Sequence, residues 1–210
     1  MLSTITVYGV LLLPTILSTV TTADETQVPP NPELIDKLIG YSDFETYQDV
    51  NRCIPFNDRW FVMYRNKDQK DEVFDPSDDG KCAHMLTDMR FVDGKINVTI
   101  ADTYGQKDYI FELQTYEGRS TATGFKVTTA ADPYDEGKAI RVLYADCMHC
   151  IIFNLEYMDT YACNMLAPLE DARGSRIAGH CEYIYNMLCG TEKKWIYDCC
   201  DRENFMYQYL

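Results

Sequence analysis

The chain of 210 residues has no G-x-S-x-G, no glycine-rich phosphate loop, no H-E-x-x-H and no dinucleotide fingerprint. Histidine is scarce as well. Only His84, His149 and His180 are present, and none has a nucleophile at a recognisable spacing for general-base work. An enzyme is therefore not expected, nor is a cofactor. Positive charge is also short: 19 Lys and Arg against 33 Asp and Glu leave a net charge of -14. Such a chain repels phosphate backbones and anionic lipid, which argues against nucleic acid and membrane surfaces as partners and favours cations and amines. Beyond the N-terminus no stretch approaches the ~20 consecutive apolar residues of a membrane helix. There is no fixed-period repeat and no low-complexity tract.

The first 23 residues carry no charged side chain, and Val10 to Leu17 form an apolar run too short to span a bilayer. This segment reads as a signal peptide, with the small residues Thr21 and Ala23 suiting cleavage before Asp24. Nine cysteines in an exported chain imply a disulfide framework with one thiol left over. Pairing is open at this point, because eight cysteines allow about 105 connectivities. Asn97-Val98-Thr99 is an N-glycosylation acceptor whose side chain should face solvent. Cys147-Met148-His149-Cys150 has the spacing of a redox or zinc half-site, but it opens a strand rather than a helix. Cys199-Cys200 is the only other close pair. Disulfides are the better reading, and no metal site is expected.

Asn31 is placed to cap a short helix with Pro32 at its first position and Gly40 at its end, and further helical turns are expected from Asp43 to Val50. From Arg59 the pattern changes to eight short runs rich in β-branched and aromatic residues: 59–65, 82–91, 95–102, 107–116, 124–130, 138–146, 150–157 and 161–167. Asp93-Gly94, Tyr104-Gly105, Glu117-Gly118 and Asp135-Glu136-Gly137 supply hairpin turns between them. No helical crossover separates consecutive runs, so the sheet is antiparallel, and eight such strands close into a barrel wide enough for one small ligand. Ser175 is placed to cap a C-terminal helix running to Cys189, with Ile177, Cys181, Ile184, Tyr185 and Leu188 on the face toward the barrel wall. The expected organisation is signal peptide 1–23, N-terminal segment 24–58, barrel plus C-terminal helix 59–200 and tail 201–210, as a monomer.

Tyr144 to Phe153, with Cys147 and Cys150, then Tyr161-Ala162-Cys163-Asn164-Met165-Leu166, then a helix carrying Cys181 and a cysteine-ended tail, together resemble the salivary lipocalins of ticks, the histamine-binding family. The resemblance covers roughly Asp43 to Cys200. It implies an all-β, disulfide-braced lipocalin barrel bridged Cys150 to Cys181, and Cys82 to Cys199 or Cys200, leaving Cys53, Cys147, Cys163 and Cys189 unassigned. It also implies a secreted protein that sequesters a small host mediator, histamine or another biogenic amine by default, to suppress inflammatory and immune defence. Amine capture needs carboxylates among aromatic faces. Where the amine binders carry Glu-Leu-Trp on the last strand, this chain has Asn164-Met165-Leu166, and their inward sixth-strand Asp falls near Arg141. Glu112 is the candidate inward carboxylate, and Tyr64 and Phe125 match family aromatic positions. An inward Arg141 would favour a lipid mediator such as a fatty acid or eicosanoid. A protein-binding immunomodulator with a filled barrel is the alternative of another class.

Overall fold

The computed structural model describes residues 27–197 and 200, apart from 55, 57, 78–80, 133, 175 and 176. The expected signal peptide, the cleavage point before Asp24, Ser175, Cys199 and the tail 201–210 lie outside the described residues.

The first helix, α1 (Pro32–Gly40), begins as its sequence dictates. Proline fills the first helical position, where no N–H is needed, and Asn31 accepts a side-chain hydrogen bond from the Leu34 N–H. Two 3₁₀ turns follow, Ser42–Tyr47 and Val50–Cys53, where helical turns were expected. Eight strands then run β1 (Trp60–Arg65), β2 (His84–Val92), β3 (Lys95–Ala101), β4 (Gln106–Gln114), β5 (Gly124–Thr129), β6 (Lys138–Ala145), β7 (Ile151–Leu155) and β8 (Cys163–Pro168). Each pairs antiparallel with the next, β8 pairs back with β1, and β1 meets β2 at Trp60 and Phe61, so the sheet closes on itself. At the β2–β3 hairpin both Asp93 and Gly94 take positive φ, the geometry a two-residue turn needs to match strand twist.

The C-terminal helix differs from its expected form. It is α3 (Gly179–Cys189), beginning four residues after Ser175; a short helix that was not expected, α2 (Leu169–Gly174), precedes it, and a short strand, β9 (Lys194–Trp195), follows. The segment after β9 is wedged into the wall. Ile196 donates its N–H to Met63 O and accepts at its own carbonyl from the Cys82 N–H, so it fills the gap where β1 and the start of β2 diverge.

Two cores result from strand alternation. Inside the barrel Trp60, Val62, Met85, Ile100, Phe111, Phe125, Val142, Phe153 and Leu166 pack together. Outside it, Phe61, Met63, Leu143, Ile152, Met165 and Ala167 pack beneath α1 and α3. β1, β7 and β8 are buried on both faces, which is why Ile151 to Phe153 reads as a continuous apolar run.

Four disulfides join Cys53–Cys147, Cys82–Cys200, Cys150–Cys181 and Cys163–Cys189. The two bridges implied by the resemblance are present, with Cys200 rather than Cys199 as partner of Cys82. No helix among the described residues is long and apolar enough to cross a membrane.

Candidate ligand site beneath the β1–β2 loop

An antiparallel meander gathers alternate connections at one end. The described parts of segments 66–83, 102–105, 130–137 and 156–162 therefore share one end of the barrel, and residues 71–75 of the first fold inward. Its sequence around Asp71-Glu72-Val73-Phe74-Asp75 places two apolar residues between acids, and both Val73 and Phe74 are buried in the barrel core. The turn is set by Asp71, whose Oδ1 accepts from the N–H groups of Val73 and Phe74 at 2.9 and 3.0 Å. Asp71 also accepts from Tyr157 Oη (2.5 Å) on the 156–162 connection and from Asn164 Nδ2 (2.9 Å) on β8. Its carboxylate is fully buried.

Beside it, Arg65 at the end of β1 grips Asp75 with both terminal nitrogens, at 2.6 and 2.5 Å. Asp75 accepts a further bond from the Asp71 N–H at 2.7 Å. The cluster therefore holds two carboxylates and one guanidinium, and the guanidinium is engaged bidentately by the other acid. Burial pushes the Asp71 carboxyl above the usual carboxylate range, against the pull of Tyr157, the Phe74 N–H and Arg65. Burial, then the neighbouring Asp71, raises the Tyr157 hydroxyl well above its ordinary value, and Tyr109 is pushed up to about 12 for the same two reasons. Asn164 Oδ1 is a buried acceptor with no donor among the described residues. Under this polar layer lie aromatic rings, with Phe74 and Phe125 at 6.1 and 6.2 Å from Phe153, and Phe111 at 5.3 Å from Phe125.

Of the residues expected to meet a ligand, Phe125 and Asn164 face the barrel interior, whereas Tyr64, Glu112 and Arg141 lie on its outer face. Tyr64 follows a bulge between Val62 and Tyr64, which turns it outward against Tyr185 (4.7 Å) and Trp195 (4.9 Å). Glu112 stands between the inward Phe111 and Leu113 and pairs across the strand with Lys95 Nζ at 3.5 Å. Arg141 stands between the inward Ile140 and Val142, lies 3.9 Å over the Tyr116 ring and is ion-paired with Glu156. Arg65, Asp71, Asp75 and Tyr157 are the polar residues that sequence reasoning missed. The signal for them was Val73-Phe74, an apolar pair inside an otherwise charged loop.

At the opposite end of the barrel an open cleft of about 580 Å³ is lined by Arg52, Asp58, Trp60, His149, Glu170 and Asp171. Close to it, Asp146, Cys150, His180 and Cys181 bring potential metal-ligand atoms within 4.8 Å of one another, but the two sulfurs are joined in a disulfide and offer no thiolate.

No protein-family model matches the chain, and no curated protein matches it. Among solved structures, the crystal structure of the AM182 serotonin complex is similar, with a TM-score of 0.52 at 16% identity over 73% of this chain and 90% of that one. That likeness bears on the fold: a closed eight-stranded antiparallel barrel of lipocalin type.

Proposed function

We propose that this protein is secreted and binds a small aromatic amine inside the barrel beneath the 66–83 loop, sequestering it without chemical change. The observation that carries this reading is Asp71. Its buried carboxylate has hydrogen bonds but no ion pair among the described residues, since the nearby Arg65 is held bidentately by Asp75. A ligand ammonium supplies the missing charge, Asn164 Oδ1 offers it an acceptor, and Phe74, Phe125 and Phe153 offer ring faces. The serotonin complex of the similar barrel supports this ligand class. The finer reading is capture of histamine or a related mediator at the expense of host inflammatory and immune defence. A lipid anion is less well matched, because Arg141 lies outside the barrel and Arg65 is already paired.

One observation favours a second reading. Val73 and Phe74 occupy the interior themselves, as expected of a barrel that serves as scaffold for loops engaging a host protein. Calorimetric titration of serotonin and histamine into the wild type and Asp71→Asn separates the two. An amine site predicts one equivalent bound and at least tenfold weaker binding in Asp71→Asn, since a hydrogen bond to a charged group contributes about 1.5–3 kcal/mol. No amine heat in the wild type, with no amine retained in native mass spectrometry, defeats the amine reading and leaves the scaffold.

A further inference from the structure

The Cys147-Met148-His149-Cys150 segment finds a use that its cysteines do not supply. Cys147 and Cys150 are drawn in different directions, to Cys53 and Cys181, leaving His149 on a short loop between two bridges. Asp146 fixes that loop, its Oδ1 accepting from the N–H groups of Met148, His149 and Cys150 at 2.9, 2.7 and 3.0 Å. The other oxygen of Asp146 meets His180 Nε2, on the first turn of α3, at 2.8 Å. His149 Nδ1 meets Asp171 Oδ2, on α2, at 2.9 Å. Two imidazoles from different elements are thus each held by a carboxylate, and their ring centroids lie 6.0 Å apart.

A carboxylate that takes one ring N–H fixes the tautomer and leaves the lone pair on the other nitrogen, the arrangement by which proteins orient metal-binding histidines. The nitrogens that the carboxylates leave unused are Nε2 of His149 and Nδ1 of His180. With metal–nitrogen distances of 2.0–2.1 Å, an ion sits about 3 Å from each ring centroid, so two imidazoles sharing it have centroids about 5–6 Å apart. We propose that His149 and His180 together bind a divalent transition-metal ion such as Zn²⁺ or Cu²⁺. Asp171 and Asp146 position the two rings, and the remaining coordination positions are open to solvent. Both rings are half-exposed, at 43% and 47% of the side chain, so an ion reaches them without any opening of the fold. Imidazole suits zinc, copper and nickel over the harder alkaline-earth ions. The third histidine, His84, is fully buried.

The test is calorimetric titration of Zn²⁺ into untagged protein, comparing wild type, His149→Asn, His180→Asn and the double variant. Asp171→Asn is added as a probe of ring positioning. Both histidines are half-exposed and no disulfide is altered, and equal urea midpoints verify that the variants fold. One equivalent of Zn²⁺ in the wild type is expected, at least tenfold weaker in each single variant and about tenfold weaker in Asp171→Asn. The double variant keeps every cysteine and the terminal amine. Zinc binding equal in wild type and double variant overturns the proposal, and so does dependence on only one of the two histidines, since the site is a shared one.

Discussion

Gly124 shows how closely single side chains are fitted in the wall. It pairs with Arg141 across β5 and β6, and a Cβ there would lie 2.5 Å from Ile140 O and 2.9 Å from the Tyr116 ring. Gly124→Ala is expected to cost about 1–3 kcal/mol by overpacking, measured as a lower urea midpoint. His84 sets a pH dependence. Burial holds its imidazole below the ordinary 6.5, against the Cys82 carbonyl 3.0 Å from Nδ1. As pH falls through 6.5 the unfolded chain takes up a proton that the folded chain refuses until its own lower value, so stability is lost across that window. His84→Gln should flatten the loss. Comparing urea midpoints of the two proteins from pH 7.5 to pH 5 reads this difference, because every other titrating group is common to both. At this scale the sequence was least legible. Glu112 and Arg141 could be assigned to a face only by counting from a known register, and one slipped residue inverts the answer. Bulges between Val62 and Tyr64, and between Val142 and Tyr144, introduce such a slip partway along β1 and β6.

Among the elements, α3 depends most on its attachments. Eleven residues are too few for a stable isolated helix. Its ends are held by two bridges: Cys181 in the first turn to Cys150 before β7, and Cys189 at the last residue to Cys163 at the start of β8. Each closes a short loop, with sequence separations of 31 and 26, worth about 3.5 kcal/mol on the chain-entropy estimate. Replacing Cys163 and Cys189 by Ser should therefore lower unfolding free energy by about 2–4 kcal/mol, with the helix still pinned at its first turn. Loss of both bridges should free α3 and expose Tyr185 and Leu188, which dye binding to apolar surface will detect. α1 was readable from Asn31, Pro32 and Gly40 because its caps are local. α2 was not, because the apolar stripe from Ile177 to Leu188 gives no sign that residues 169–174 form a helix of their own.

For the whole molecule, the barrel was legible because strand runs and turn residues alternate along the chain from Arg59, and hairpin pairing depends on little else. The polar cluster was not, since it is assembled by a loop folding back into the interior, a long-range event without periodicity. The outer face of β3 alternates as expected: Lys95 and Asn97 are exposed while Ile96 and Val98 are buried. On export, Asn97 should carry glycan, and Asn97→Gln should remove the mass lost on glycosidase treatment without altering the unfolding midpoint. An unmodified Asn97 on protein from a glycosylating host counts against export through that route.

The wedge made by Ile196 gives the molecule an order of assembly. Residues 194–197 are made after all eight barrel strands, yet they complete the wall between Met63 and Cys82, and Ile196 belongs to the interior core. While the chain is being delivered, every earlier strand can be present with the barrel still unsealed along that seam. The open margins of β1 and β2 are then available to any passing strand. On export, a nascent chain halted near Gly190 should accordingly be retained by lumenal chaperones, and release should coincide with formation of the Cys82–Cys200 bridge, the electrons passing by thiol–disulfide exchange to the disulfide oxidants of that compartment.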